Sequence, residues 1–409
     1  MLKCDIVIVG AGLNGLVAAL ALGGQRARRP LNVVVIDRFD PTRFATSSHD
    51  SRASALTVAT QNMFAALGLW EAVGVHAQDM RSIVVTDGKE VSHGPVLLSF
   101  ATDDSQQAAA AMVENHHLFA SALAQIAVSP QIRLLTGEGV KQISYGPGLA
   151  QVTLANGDIV KAALIAGADG RTSKTREDAG IKMEGWDYRH SALTLTVAHE
   201  RPHAGTAEEH FTPSGVFAVL PLPGNRSSLV WTASHDEAKR LHSLNDDEFL
   251  VELSKNFGTH RGTLSLAGPR HIYPLSLRIA TALVGPRLAL LGDAAHVIHP
   301  LAGLGLNLGF KDVAALADCV MDAFELGQDI GSPSVLDRYA TWRRFDTVST
   351  TYVLDSLNRL FANDILALKL VRDMGLRLVD RSAPAKALFM AEAAGKLGSL
   401  PRLMRGLAA

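Results

Sequence analysis

The feature that most constrains this chain is how it begins. Lys3 to Val9 is a continuous apolar run, Gly10-Ala11-Gly12-Leu13-Asn14-Gly15 interrupts it, and Leu16 to Leu22 continues as an apolar helix that Gly23 and Gly24 end. A strand that is apolar on both faces belongs inside a parallel sheet. Gly10 permits a tight turn, Gly12 lets a ligand approach the backbone, and Gly15 lets the helix pack on the strand. Asn32 to Ile36 is a second β-branched run ending at Asp37. Together these segments form a βαβ unit of the dinucleotide-binding kind, in which an acidic residue at the end of the second strand bonds ribose hydroxyls and disfavours a 2′-phosphate.

The rest of the chain decides which dinucleotide fold this is. A length of 409 residues supports a large core, and Lys+Arg 39 against Asp+Glu 40 gives a net charge of -1. That balance argues against a nucleic-acid partner, which calls for a basic excess. Cys4 and Cys319 lack metal-type spacing and read as reduced core residues. The first strand begins almost at Met1, so no secretory or transit segment is expected. No apolar run reaches the roughly 18–20 residues that span a bilayer.

Arg52 to Leu69 reads as loop and helix, Ser82 to Ala101 as short strands, and Met112 to Val128 as helix. Ile132 to Ala166 alternates with period two around turns at Gly146-Pro147-Gly148 and Asn156-Gly157-Asp158, the pattern of a small antiparallel meander. An apolar strand leads into Ala168-Asp169-Gly170-Arg171. Ser191 to Trp231 and Arg270 to Arg278 read as longer strands of a second sheet, with a helix at about Asp246 to Asn256 between them. Pro286 to Leu291 is another buried strand, Leu304 to Leu326 a helix, and residues after Ser334 are mostly helical. Glu208-Glu209-His210 reads as a solvated turn, and Asp236, Glu237, Lys239 and Arg240 as an exposed helix face.

Leu288-Ala289-Leu290-Leu291-Gly292-Asp293-Ala294-Ala295-His296 follows nearly three hundred residues after the first glycines, with Pro300 and Gly303-Leu304-Gly305-Leu306-Asn307 beyond it. Taken in order, the Gly-rich unit, Asp169-Gly170 and Gly292-Asp293 resemble the class A FAD-dependent aromatic hydroxylases. Within that class the chain is most similar to the ubiquinone-biosynthesis hydroxylases. Arg52-Ala53-Ser54-Ala55-Leu56, Leu67-Gly68-Leu69-Trp70, Phe211-Thr212-Pro213-Ser214-Gly215 and His296-Val297-Ile298-His299-Pro300 add to the likeness.

The resemblance implies an α/β fold: a Rossmann-like FAD-binding domain of the p-hydroxybenzoate hydroxylase type, an inserted mixed β-sheet substrate domain, and a helical C-terminal region. The expected division is 1–75, 107–180 and 279–350 for FAD, 76–106 and 181–278 for the substrate sheet, and 351–409 for the helical region. Gly10, Gly12, Gly15 and Asp37 would then hold the adenosine diphosphate half of FAD, and Asp293, after Gly292, the ribityl hydroxyls. Asp169 helps hold FAD, Arg52 lies near the flavin, and Asn115 matches a position that touches it. Pro300 stiffens the loop beside the ring. Gly303, Gly305, Leu306 and Asn307 start the helix facing the pyrimidine edge, where helix N–H groups favour negative charge on reduction. Two roles are open to Asn307, bonding the ring or capping the helix. Leu304 stands where related hydroxylases commonly have Gln. His296 reads as a packing and hydrogen-bonding residue, and no third ligand joins His296 and His299 to make a metal site.

The implied reaction is hydroxylation of a polyprenylated phenol, with NAD(P)H as co-substrate and O2 reacting through a flavin C4a-hydroperoxide. No catalytic acid or base is assigned. A lipidic substrate implies a cytoplasmic protein with weak peripheral contact to the bacterial inner membrane, within a ubiquinone-biosynthesis complex. The basic tail, Arg381, Lys386, Lys396, Arg402 and Arg405 against Glu392, suits either that surface or packing on the domain. The competing readings are another flavin enzyme of the same fold, such as a phenol hydroxylase or prenyl reductase, and a non-catalytic assembly member.

Overall fold

The computed structural model describes residues 1–46, 52–87, 96–101, 108–212, 215–298, 303, 305–361, 391, 394–396 and 398–409. The chain opens with β1 (Leu2–Val9), α1 (Leu13–Gly23) and β2 (Val33–Asp37). Next come β3 (Ala53–Thr57), α2 (Val58–Ala66), α3 (Trp70–Gly74), β4 (Gln78–Met80), β5 (Ser82–Asp87) and β6 (Val96–Ala101). β7 (Ala110–Glu114) leads into α4 (Asn115–Ala127), followed by β8 (Ile132–Thr136), β9 (Val140–Tyr145), β10 (Ala150–Leu154), β11 (Ile159–Gly167) and α5 (Lys174–Asp178). The central part contains β12 (Met183–His199), β13 (Thr206–Thr212), β14 (Gly215–Leu222), β15 (Arg226–Ser234), α6 (His235–Ser243) and α7 (Asp246–Phe257). β16 (Leu264–Leu266), β17 (His271–Ala280), β18 (Val284–Gly285), β19 (Leu288–Leu290) and β20 (His296–Val297) precede α8 (Gly305–Glu325) and α9 (Pro333–Phe361).

The first sheet has the order β18-β19-β11-β1-β2-β8, with β19, β11, β1, β2 and β8 mutually parallel. Its strands β1, β2 and β11 are buried on both faces, as expected inside a parallel sheet. α1 packs against α4 and α8, and every α1 residue except Asn14 is buried. The parallel register brings Val9, Ile36 and Gly167 level at the carboxyl ends of their strands. Ligands of open parallel sheets bind in the crevice beyond that edge.

The second sheet is mostly antiparallel, with the order β20-β17-β12-β15-β14-β13-β5-β6. Period-two alternation divides its faces. Leu193, Leu195, Phe217, Val219, Leu229 and Trp231 pack under Ala238 and Leu241 of α6 and Phe249, Leu253 and Phe257 of α7. The opposite face turns toward the first sheet. A small sheet, β3-β7-β4, bridges the two, with Ala55, Met80 and Met112 packed on Ala207 and Leu222.

Four sequence expectations change. Ala53 to Thr57 is a strand rather than a loop, because it pairs with β7 along its whole length. Met112 to Glu114 ends that partner strand, so the helix begins only at Asn115. Ile132 to Thr136 joins the first sheet parallel to β2, which leaves only β9, β10 and β11 in the meander. Glu208-Glu209-His210 is the middle of β13, held between β14 and β5, and not a solvated turn. A carboxylate and an imidazole inside a strand break the apolar alternation, and that misled the reading. α9 runs without interruption across position 350. Both cysteines are buried and free. Burial pushes the Cys4 thiol up to about 12 and the Cys319 thiol up to about 11, so neither is a nucleophile near neutral pH.

Candidate active site

The carboxyl edge of the first sheet gathers residues from three distant parts of the sequence. At the Gly-rich turn, Gly10 has φ +108°, and a Cβ there would lie 2.3 Å from the Ala168 carbonyl oxygen. A Cβ on Gly15 would lie 1.9 Å from the Gly10 carbonyl oxygen. Gly12 is different: no atom stands within 4 Å of its missing Cβ, and the residue lines a cavity. It is also the N-cap of α1 and offers no side chain to the first-turn amides, so those N–H groups remain available to an anion. Beside the turn, Asp37 Oδ2 accepts from Ala11 N at 2.7 Å and Oδ1 from Phe39 N at 2.8 Å.

The turn after β11 is built by its own side chains. Asp169 Oδ2 accepts from both the backbone N and the hydroxyl of Thr175 at 2.9 Å, and Oδ1 accepts from Ser173. Its carboxylate is therefore occupied as the brace of α5. The buried Arg176 donates to Ala294 O at 3.1 Å and to Arg171 O at 3.3 Å, tying this turn to the Gly292-Asp293 turn.

Gly292 takes φ +56°, and a Cβ on it would meet Asn14 Nδ2 at 2.1 Å. Its N–H donates to Asp312 Oδ2 at 3.0 Å. Asp293 is exposed to the cavity and makes no hydrogen bond or ion pair among the described residues. Asn14 lines the same cavity, and its buried Oδ1 has no partner among the described residues. Behind the turn, Asp312 is 1% exposed and takes bonds from His296 Nε2 at 2.6 Å and Arg343 Nε at 2.7 Å. His296 thus has the packing and hydrogen-bonding place expected of it. Asp312 and Arg343 were missed. The available signal was Asp312 itself, a charge inside the apolar face of α8.

Arg52 borders the cavity, and its carbonyl accepts from Asn115 N at 2.8 Å. The Asn115 side chain accepts from Ser54 Oγ at 2.7 Å. Gly303, Gly305 and Leu306 line the cavity at the start of α8, while His299, Pro300 and Leu304 lie outside the described residues. The Asn307 side chain is engaged by neighbouring protein groups. Its Oδ1 accepts from Thr57 N at 3.1 Å and Thr60 Oγ1 at 2.8 Å, and its Nδ2 donates to Ala55 O at 2.6 Å. These bonds fasten α8 onto β3 and α2, and Nδ2 also donates to Gly303 O at 3.3 Å.

The cavity has a volume of about 670 Å³ and continues from Gly12, Asn14 and Asp293 to the free face of the second sheet. There the wall is mainly apolar, with Met80, Ile83, Ala218, Leu220 and Val230. Glu209 also lines it, a residue the sequence reading had assigned to solvent. Glu208, which also borders the cavity, and His210 join a buried cluster. Glu208 bonds Arg261, His260 Nε2 at 3.2 Å and His210 Nε2 at 3.4 Å. Burial alone would raise the Glu208 pKa, but those three partners hold it far below the usual carboxylate range.

Glu114, His116 and His117 approach closely enough to suggest a metal centre. Glu114, however, already holds Arg226 through both oxygens, at 3.2 and 2.9 Å. A cation at that carboxylate disfavours a second one, so the group is a structural ion pair with neighbouring imidazoles.

Comparison with known proteins agrees with this geometry. A family model described as FAD binding domain matches residues 3–347. A protein named ubiquinone hydroxylase from Rhodospirillum rubrum is 42% identical over 98% of this chain and 93% of its own length. The 3-demethoxyubiquinol 3-hydroxylase of Escherichia coli is 33% identical over 93% of this chain and 96% of its own length. Among solved structures, a p-nitrophenol 4-monooxygenase from Pseudomonas putida superposes with TM-score 0.79 at 18% identity, covering 98% of this chain and all of that one, a likeness of fold. With the family model matched from Lys3 to Thr347, the chain belongs to the FAD-binding domain family.

Proposed function

We propose that this protein is an FAD-dependent monooxygenase that hydroxylates the ring of a polyprenylated phenol in ubiquinone biosynthesis, with NAD(P)H and O2 as co-substrates. One observation carries the reading: a single cavity joins the carboxyl edge of the parallel sheet to an apolar face of the second sheet. A flavin held at the edge would meet a greasy aromatic ring held under the sheet. The names of the relatives support the substrate class.

The residues present fit FAD. Open space at Gly12, an uncapped α1 N-terminus, and an Asp293 and an Asn14 Oδ1 that have no partner among the described residues are what a pyrophosphate and a polyhydroxylated chain would use. In this reading Gly10 and Gly15 keep the turn closed, Gly12 admits the phosphates, and Asp37 takes ribose hydroxyls with its remaining lone pairs. Asp293 takes the ribityl hydroxyls, with Gly292 and Asp169 shaping the turns that present it. Arg52 and Asn115 flank the ring, Pro300 stiffens the loop beside it, and Gly303, Gly305 and Leu306 aim backbone N–H groups at it. Asn307 fixes that helix start in place. The expected three-part FAD domain and inserted substrate sheet belong to the same proposal.

Bound FAD supplies the redox chemistry, taking a hydride from NAD(P)H and activating O2. The chain's task is to hold the ring still and dry. The walls at Met80, Ile83, Ala218, Leu220 and Val230 exclude water, which protects a reactive oxygen species from being wasted. The positive end of α8 favours negative charge that develops beside Gly305.

Among the described residues no helix is long and apolar enough to cross a membrane. Arg402 is already spent on Asp318 and Asp322, and Leu403 and Met404 are buried. Peripheral contact with the inner membrane and with partner enzymes is therefore proposed for the middle of α9, where Phe345 and Val348 are exposed, while Arg381, Lys386 and Glu392 lie outside the described residues. The test of function is incubation of the enzyme, NAD(P)H and a prenylphenol under isotopically labelled O2. Label in the ring of the product supports the proposal, and a product without label refutes it.

A further inference from the structure

The last residues of the chain return to the N-terminus of α2. A helix leaves its first four amides without partners of its own, and here each is taken by a different group. Thr57 N donates to Asn307 Oδ1 at 3.1 Å, and Val58 N to Ala109 O at 3.3 Å. Ala59 N donates to Ala394 O at 3.2 Å, and Thr60 N to Thr57 Oγ1 at 3.3 Å. One amide is thus held by the start of α8 and another by the C-terminal segment. Gly395 seats against the same turn. It has φ +68°, and a Cβ on it would lie 2.8 Å from Thr57 Oγ1 and 3.3 Å from Ala59 Cβ. The left-handed backbone and the lack of room both call for glycine. Thr57 is 4% exposed, Thr60 0% and Asn307 8%, so this joint is closed to solvent.

The joint reaches the cavity through Asn307. Its Nδ2 donates to Gly303 O at 3.3 Å, and Gly303, Gly305 and Thr57 line the cavity wall. Further on, the C-terminal segment is anchored a second time and elsewhere. Arg402 donates from its backbone N to Asp318 Oδ2 at 2.9 Å and from Nη1 to Asp322 Oδ1 at 2.6 Å, both on the second half of α8. The far anchor ties the segment to the body of α8, whereas the near one bears on where α8 begins. Resting on the FAD-binding part of the reading above, we propose that the C-terminal segment is a positioning strap for the flavin site, with Gly395 as its positioning residue. Gly395 and Ala394 set the first turn of α2, that turn holds Asn307, and Asn307 holds the start of α8 beside the ring. The positive end of a helix favours added negative charge only over its first turn, so a small displacement there lowers the preference of the site for reduced flavin over oxidised flavin.

The reduction potential of bound FAD tests this without turnover. In Gly395→Ala the ratio of reduced to oxidised flavin affinity should fall about threefold to tenfold, a drop of about 15–30 mV in the two-electron potential. Thr60→Val, which removes a hydroxyl donor to Asn307, should shift it in the same direction. Arg402→Gln loosens only the far anchor and should lower Tm with the potential unchanged. Gly395→Ala that loads FAD and keeps the wild-type potential overturns the proposal, as does an equal shift in Arg402→Gln. Wild type supplies the test should Gly395→Ala fail to fold, because coupling between two sites is reciprocal. FAD binding should then slow amide exchange at Ala59 and Lys396 at least about threefold more than at Gly406, whose amide bonds Leu403 O. Equal slowing at all three positions reports stabilisation of the whole fold and overturns the proposal. Failure of the hydroxylase reading looks different, because these shifts in bound flavin would stand while no phenol is hydroxylated.

Discussion

His296 Nε2 lies 2.6 Å from Asp312 Oδ2, and both side chains are almost fully buried. The same carboxylate oxygen accepts the Gly292 N–H, and its other oxygen accepts from Arg343. One residue of α8 therefore holds the backbone that presents Asp293 to the cavity. Burial alone would raise the Asp312 pKa, but the His296 and Arg343 side chains hold it below the usual carboxylate value. Replacing Asp312 by Asn leaves Arg343 buried and less compensated, a loss on the order of 3–5 kcal/mol. We expect Asp312→Asn to lower Tm sharply and to purify with little flavin. A variant of normal Tm and full flavin content would contradict this role.

The glycines of the first turn separate folding from binding. Gly15→Ala puts a Cβ 1.9 Å from a backbone oxygen, so the strand–helix junction must move. Gly12→Ala adds a methyl group into open space. We expect Gly12→Ala to keep the thermal stability of the apoprotein and lose FAD affinity by about tenfold or more, since phosphate must come close to that backbone. Gly15→Ala should lose both. Calorimetry on apoprotein combined with flavin titration distinguishes them, and parallel behaviour of the two variants would refute the assignment.

How much of this was legible beforehand follows from what each signal depends on. The Gly10 turn, β2 and the Asp37 position were readable because local chemistry dictates them. The Gly292-Asp293 turn was readable because the preceding strand is apolar throughout. Ile132 to Thr136 was misplaced because its alternating pattern suits either kind of sheet, and only long-range pairing with β2 decides. Glu208 to His210 was misread because three polar residues in sequence look like a turn. Their burial depends on Arg261 and His260, about fifty positions away. Asn307 was left between the ring and the helix cap, and the bonds it makes to Thr57 and Thr60 were not legible because those residues are about 250 positions distant.

Asp293 makes no internal bond among the described residues, so removing its charge should cost the fold little. Loss of charged hydrogen bonds to a ligand is worth roughly 1.5–3 kcal/mol. Asp293→Ala should therefore weaken FAD binding by about 10–150-fold with apoprotein Tm nearly unchanged. Fluorescence quenching of free flavin measures the affinity. Unchanged binding would remove Asp293 from the site.

Asp322 links three parts of the chain, accepting from Arg28 at 3.1 Å and from Arg338 and Arg402 at 2.6 Å. Burial alone would raise its pKa, yet the three guanidinium groups bring it down from 3.8 to about 2. A depressed carboxylate contributes stability that is complete above its unfolded value and is lost as pH falls through its folded value. Acid titration followed by circular dichroism should show stability declining between about pH 4 and pH 2. Asp322→Asn should be less stable at neutral pH and show a shallower decline over that interval. A decline as steep as that of wild type would contradict the linkage.

The central claim is that the cavity couples a flavin to a prenylated phenol. The most direct measurement is O2 uptake by the purified protein with FAD and NAD(P)H, with and without a polyprenylphenol. The account predicts slow uptake without the phenol, a marked rise with it, and a hydroxylated ring in amounts matching the O2 consumed. A protein that binds FAD but consumes no O2 with any phenol offered would contradict it.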